Sequence, residues 1–537
     1  MDNRTQIIPA SPRPPVFVSS PFFITTAIDY TNGTPHIGHA YEKVLADVIA
    51  RYRRLKGEEV FFLTGVDQHG QKVQQSAEKL GLSPKQFVDE ITVKFSALWK
   101  KLGIQYEAWA ATTDPKHKEC VQKILTRLNE EGQIYKDQRG GHYSVRQEQF
   151  LTDKERNEAG EFGPEWGEVE FREEENYYFK LAGHKQWLLD LIDRRSAAGT
   201  PLVVPDFRVA ELRNAVEKLE GDLCISRPKA RLAWGIEFPF DPNFVTYVWF
   251  DALVNYISFA PGYDPAAGAD LSEFKKWWPP VHVIGKDILI PAHGIYWPIM
   301  LKALGFADAE IPPLLVHGWW NVAGAKMSKS LGNSIDPDAL AETYGAETVR
   351  YYLMSDIVTG RDADFSNARL VQRFNVDLAN SLGNLLNRSL NMAQKYRAGK
   401  LVRSASGPLP AAAERCLARY TAAMEAHAVD GGLREIFGLA TEANQLIEQT
   451  APWKLAKDPA QAEELEAVLY QIAETLRILA ILISPVLPRA AADIFAQLNW
   501  DRPFALNEAH WGGLPDGHEL GQPTPIFPRL EIRESGH

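Results

Sequence analysis

The sequence predicts an α/β protein: a Rossmann-like parallel-sheet domain, split by an insertion and followed by an all-α helix bundle. Three observations carry this. Two short, β-branched apolar runs flank an amphipathic helical stretch near the start, the opening of a doubly wound sheet. A charged stretch without clear periodicity then interrupts the α/β pattern. After Ser366 the apolar spacing is helical throughout.

Residues 1–20 hold Pro9, Pro12, Pro14 and Pro15 and no apolar core, so they read as a flexible tail and not as a signal peptide. Residues 21–28 (PFFITTAI) form a buried strand, and Asn32, Gly33 and Pro35 a loop after it. Over residues 38–54, Val44, Leu45, Val48, Ile49 and Tyr52 recur at helical spacing. Residues 59–64 (EVFFLT) give the next strand. Such sheets bind ligands at the carboxyl ends of their strands, where this loop lies. Asp114 and Pro115 supply the N-cap and first position of a further helix. Residues 132–244 carry a charge run (168–175) and scattered strand patterns such as 176–180, and read as the insertion. The sheet pattern resumes near Val245, with a strand at 281–284, a helix through Trp297 and Met300, and residues 314–322 leading into Gly324-Ala325-Lys326. Leu378, Leu382, Leu385 and Leu386, and the apolar run over 476–483, mark bundle helices. From Gly512 on, proline and glycine predict loose packing.

Composition narrows the function. No stretch approaches the roughly 20 apolar residues of a membrane span, and a cytoplasmic location is the default. Three dispersed cysteines, Cys120, Cys224 and Cys416, exclude a disulfide framework and an all-cysteine zinc knuckle. A net charge of −11 argues against a nonspecific polyanion binder.

Two segments carry chemistry. His36-Ile37-Gly38-His39 stands where a helix begins. A helix N-terminus presents unpaired N–H groups to an anion, two imidazoles can donate to phosphoryl oxygens, and Gly38 lets a flat base approach the backbone. A zinc reading is weak, since no HExxH pattern and no third ligand stand nearby. The second segment, Lys326-Met327-Ser328-Lys329-Ser330, lies 290 positions downstream between Gly324 and Gly332. Flanking glycines suit a moving lid, and two ammonium groups suit a pyrophosphate leaving group.

Together the two resemble the HIGH and KMSKS signatures of the class I aminoacyl-tRNA synthetases, without a mismatch. Residues 27–33 (AIDYTNG), 64–70 (TGVDQHG), 245–252 (VTYVWFDA) and 284–288 (IGKDI) are similar to the methionyl branch. The resemblance runs from Pro21 to about Pro488. It implies ATP-dependent activation of L-methionine and its transfer to tRNA(Met), initiator tRNA included, with Mg2+ entering on ATP. Catalysis would fall to His36, His39, Lys326 and Lys329. ATP would contact His36, Gly38, His39, Gly285, Asp287 and Lys329. Asp67 would hold the methionine ammonium, and Ile28, Tyr30, Trp249, Ala252, Leu253, Tyr256, His293 and Trp297 would form or border the side-chain pocket. A thioether offers only shape and sulfur–aromatic contact for selection, so aromatic walls make physical sense.

The bundle carries its own signal. Arg369, Arg373, Arg388, Lys395, Arg397 and Lys400 stand against one acid, Asp377, over residues 366–400, a local basic face suited to phosphates. Asn384 and Arg388 share a helical face, and Trp453 follows another helix. These three resemble the family's anticodon-binding residues.

The implied partition is a tail (1–20), a catalytic domain in two halves (21–131 and 245–335), an inserted connective domain (132–244), a stem (336–365), an anticodon-binding bundle (366–510) and a C-terminal tail (511–537). Two departures stand out. Residues 143–148 read YSVRQE, with Ser144 and Gln147 where many relatives carry zinc-binding cysteines, so no structural zinc is expected. Ala292 replaces a common aromatic, which predicts a roomier pocket. The family's appended C-terminal domain, which dimerises, is not seen, which favours a monomer. Leucyl, isoleucyl and valyl relatives carry a larger editing insertion, and the cysteinyl type relies on zinc ligands missing here. A small nucleotidyltransferase shares the HxGH loop but not the long bundle. A non-catalytic tRNA binder would not need intact histidines and lysines.

Overall fold

The computed structural model describes residues 21–144, 146, 149–151, 155–157, 159–263, 271–322, 324–326 and 334–532, the side chains of Gln149, Ala325 and Lys326 excepted. Strand β1 (Phe22–Thr26) leads through the loop at Asn32–Gly33 into helix α1 (Ile37–Leu55), and β2 (Val60–Asp67) follows. Helix α2 (Pro84–Lys101) starts on a Ser83 capping box with proline at its first position. Strand β3 (Ala108–Ala111) and helix α3 (Pro115–Glu130) come next, the latter capped by Asp114 as expected. With β4 (Val203–Val204), β5 (Val281–Gly285) and β6 (Leu314–His317), the strands form one parallel sheet in the order β3-β2-β1-β5-β6-β4. The order reverses between β1 and β5, so their carboxyl ends open a crevice at the switch point.

The expected insertion covers residues 132–244, which follow α3. An antiparallel pair, Ile134–Ser144 with Val169–Phe179, forms its centre. Its far end differs from expectation. Val203–Val204 already returns to the parallel sheet, beside β6, within the 132–244 stretch. Two residues carry no periodicity, so the sequence pattern could not reveal this strand.

The sheet has an apolar core on each face. One packs β1, β2, β5 and the segment 245–304 against the insertion. The other lies under α1 and runs without a break into the bundle. Asp47 of α1 pairs at 2.7 Å with the buried Arg350 of α4 (Ala346–Ser355), which also donates to the carbonyls of Pro485 and Val486. Helix α1 therefore touches the ligand crevice at one end and the bundle at the other, where Tyr52 and Lys56 bond to Glu425. The bundle is built on α5 (Asn384–Arg397), α6 (Leu409–Glu425), α7 (Val429–Thr450), α8 (Ala462–Ile483) and α9 (Pro488–Gln497).

The C-terminal stretch is a correction. Instead of packing loosely, residues 512–532 lie along the bundle. Buried Glu474 accepts the backbone N–H groups of Gly512, Gly513 and Leu514, and it is paired with buried Arg477. Leu514 is fully buried, and Leu401 and Leu520 bond across to His518 and Gly399. One buried ion pair organises this irregular chain, which no apolar periodicity could announce. No helix among the described residues is long and apolar enough to cross a membrane.

Candidate active site

The crevice is a cavity of about 600 Å³. The loop after β1, the start of α1, the ends of β2, β5 and β6, and the turn helix Val248–Leu253 line it. His36 caps α1: its Nδ1 accepts from the Gly38 N–H at 3.1 Å, and the Nδ1 of His39 accepts from the His36 N–H at 3.1 Å. The two rings lie 3.8 Å apart. With Nδ1 an acceptor in both, the neutral rings carry their proton on Nε2, the donor form the phosphate reading requires. A Cβ on Gly38 would meet the His36 ring at 2.9 Å, so glycine keeps that ring in place. The Ile37 N–H bonds to the carbonyl of Ile335, just past the lysine loop.

Beneath this end of α1 the fully buried Lys43 donates to Asp29 (2.7 Å), Glu42 (2.8 Å) and the Ala27 carbonyl (2.9 Å), tying the helix to the end of β1. Burial pushes the Asp29 carboxyl up to about 7 against the pull of Lys43. Glu42 also meets His317 Nε2 at 3.1 Å, and both line the cavity.

Asp67 ends β2 and is buried. Its Oδ1 is reached by the His69 N–H (3.3 Å) and the Thr112 hydroxyl (3.4 Å). Facing it are Ile28, Tyr30, Trp249, Ala252, Leu253, Tyr256 and His293. Tyr256 and His293 are hydrogen-bonded, and Trp249 meets the His293 ring edge-on with centroids 6.0 Å apart. Trp297 packs behind Tyr256 and donates to His282 Nε2 at 3.1 Å, so it borders the pocket without lining it. Ala292 is buried and is not among the lining residues. Gly285 and Asp287 line the opposite side, where Asp287 accepts from the Trp319 indole N–H at 3.2 Å.

The structure thus gathers into one cavity every predicted ATP and methionine residue but Trp297 and the lysines. Only the backbone of Lys326 is described, in a hairpin that pairs it with Asn321, and Lys329 lies outside the described residues. Sequence reasoning missed Glu42, Asn255, His317 and Trp319. Glu42 stands one helical turn after His39, and His317 and Trp319 stand at the end of β6. Periodicity and strand position were the available signals.

Comparison with known proteins identifies the family. A family model described as "tRNA synthetases class I (M)" matches residues 22–159 and 166–390. One described as "Anticodon binding domain of methionyl tRNA ligase" matches residues 398–535. The chain belongs to the methionyl class I tRNA synthetases. The methionine–tRNA ligase of Lactococcus lactis is 40% identical over 96% of this chain and 78% of its own length. That of Nostoc is 39% identical over 95% of this chain and 97% of its own. The solved Mycobacterium tuberculosis methionyl-tRNA synthetase in complex with methionyl-adenylate superposes with a TM-score of 0.86 at 35% identity, covering 95% of this chain and 100% of that one.

In this synthetase the expected basic face of the bundle is not a free one. Arg369 and Arg373 pair with Asp356, Arg388 with Glu448, Arg397 with Glu466 and Lys400 with Glu519. Asp356 lies just before the counted stretch and Glu448, Glu466 and Glu519 lie well beyond it, so the local charge count left these partners out. The three anticodon candidates still converge. Asn384 is exposed at the start of α5, and Arg388 lies 6.0 Å over the ring of Trp453, which is 37% exposed.

Proposed function

We propose that the cavity carries out methionine activation and that the residues named above divide the work as their positions suggest. The carrying observation is the junction, within one cavity, of a helix-terminal histidine pair with an aromatic chamber that opens on a buried carboxylate. The amino group of L-methionine sits at Asp67 and its thioether against Trp249, Tyr256 and His293. ATP lies with its phosphates at His36 and His39 and its ribose at Asp287. The methionine carboxylate attacks the α-phosphorus in line, the bond to the bridging oxygen breaks, and pyrophosphate leaves. A hydroxyl of the terminal adenosine of tRNA(Met), initiator or elongator, then attacks the adenylate carbonyl carbon, and AMP leaves.

No covalent enzyme intermediate is needed. Positioning and charge stabilisation supply the rate, with Nε2–H donors from the histidines and ammonium groups from Lys326 and Lys329 closing on the leaving group. Among the described residues no group of three or more His, Cys, Asp or Glu is arranged to hold a metal ion. Mg2+ would enter on the ATP phosphates, where it would offset phosphoryl charge. The chain acts as a monomer in the cytoplasm, and its bundle reads the anticodon through Asn384, Arg388 and Trp453. The test is pyrophosphate exchange into ATP, screened over the twenty amino acids. Methionine alone should support it strongly, and exchange driven as strongly by another of the twenty would overturn the reading.

A further inference from the structure

Two residues beyond Asp67 lies His69, and two beyond Trp249 lies Asp251. Neither has a part in the mechanism above. Asp251 is fully buried, which is costly for a carboxylate unless donors meet its oxygens. Here they do. His69 Nδ1 stands 2.6 Å from Oδ2, and His117 Nε2 stands 2.8 Å from Oδ1. His117 Nδ1 in turn meets the Ser258 hydroxyl at 2.8 Å. Burial alone would push the Asp251 carboxyl up, yet His69 and His117 hold it below its usual range.

Each member belongs to a different segment of the chain. His69 sits on the loop leaving β2, and the same residue's backbone N–H reaches Asp67 Oδ1. Asp251 lies in the turn helix that carries Trp249, Ala252 and Leu253. His117 is in the first turn of α3, just past Thr112, whose hydroxyl also reaches Asp67. None of the three lines the cavity.

We propose that the His69–Asp251–His117 cluster is a positioning device: it sets the distance between Asp67 and the wall at Trp249, and so the length of amino acid that the pocket accepts. The inference rests on the methionine pocket proposed above. An apolar wall alone rejects an extra methylene by only about 10–200-fold. Holding the ammonium and the thioether at two fixed points uses that discrimination fully, and a looser frame gives it away.

The experiment is methionine-dependent pyrophosphate exchange with the full chain and its variants. In Asp251→Asn the KM for methionine should rise about tenfold or more, the typical effect of losing a hydrogen bond to a charged group. The KM for ATP should move by less than about twofold. Preference for methionine over ethionine, one methylene longer, should fall. His69→Asn places an amide N–H where the ring Nδ1–H was and should restore most of the affinity that His69→Ala loses. The double variant Asp67→Asn/Asp251→Asn should bind methionine no worse than Asp67→Asn alone. An unchanged methionine KM, equal rises for methionine and ATP, or additive losses would each overturn the proposal. Should Asp251→Asn not fold, the two His69 variants decide on the same readouts. If the unaltered chain shows no methionine-dependent exchange, the functional reading itself fails and the inference with it.

Discussion

Tyr256 donates its hydroxyl hydrogen to Nε2 of His293 across 2.8 Å. The direction follows from the other side of the ring, where Nδ1 faces the Ile288 carbonyl at 3.0 Å and must donate. Both nitrogens of a neutral imidazole are then satisfied. A protonated ring would turn Nε2 into a donor against the tyrosine.

That geometry gives a pH dependence with a definite sign. Burial pushes His293 down from 6.5 to about 4. Below about pH 6.5 the unfolded chain binds a proton there that the folded chain refuses until near 4. Stability is therefore complete above about 6.5 and declines as the pH falls through that window, by about 1.4 kcal/mol per pH unit for one such group. His282, lowered by burial and by His293, acts in the same direction. Melting temperature should fall over this window, and His293→Gln should make the slope shallower. An unaltered slope would show that the ring titrates alike in both states.

The same chamber predicts specificity. Its walls are Trp249, Tyr256 and the uncharged His293, so selection rests on shape and on sulfur–aromatic contact worth about 0.3–1.5 kcal/mol. Homocysteine should be activated detectably and more weakly than methionine, since one methylene is worth only about 1–3 kcal/mol. Leucine should be poorer still. Exchange kinetics with the three amino acids would measure this, and leucine equal to methionine would contradict the pocket.

How far the sequence carried depended on where the determining contacts lie. Periodicity places α1 within a residue or so at each end, because a long apolar stripe and a loop before it are local signals. The two motifs place His36 and His39 by themselves. What escaped depends on chain segments far apart. Val203–Val204 joins the sheet only because β6 is there to receive it. Glu474 orders the C-terminal stretch about 40 residues ahead of it. The basic run looks unpaired only while Glu448, Glu466 and Glu519 are out of sight.

Lys329 should act on the transition state more than on the ground state, because a glycine-flanked loop can close on pyrophosphate as it departs. Lys329→Ala is expected to lower the rate of activation at least about tenfold with methionine affinity nearly unchanged. Pre-steady-state adenylate formation separates the two. Equal loss of binding and rate would reassign the residue to substrate binding.

Elemental analysis tests the insertion. Ser144, where the family resemblance would put a cysteine, gives its hydroxyl to the Trp166 carbonyl at 2.5 Å. Gln147 lies outside the described residues. Dialysed protein should hold well under one zinc per chain (about one would be expected of a structural site). Stoichiometric zinc would show this reading of the insertion to be wrong.

The anticodon reading separates cleanly from the chemistry. Trp453 stands on the bundle, partly exposed, with the Arg388 guanidinium 6.0 Å over its ring. Sequence-specific RNA recognition stacks splayed loop bases on such rings and bonds their edges. Arg388 is held by Glu448 at 2.7 Å, so a base that engages it must first take it from that carboxylate. Stacking is worth about 1–3 kcal/mol per base. Trp453→Ala should therefore weaken tRNA charging by roughly 5- to 150-fold. Methionine-dependent pyrophosphate exchange needs no tRNA and should stay almost intact. Both rates are measured on one preparation. Unchanged charging would make Trp453 a packing residue at the end of α7. A parallel fall in both rates would point to damage carried through Arg350 and α1, the route by which the bundle is clamped to the catalytic end.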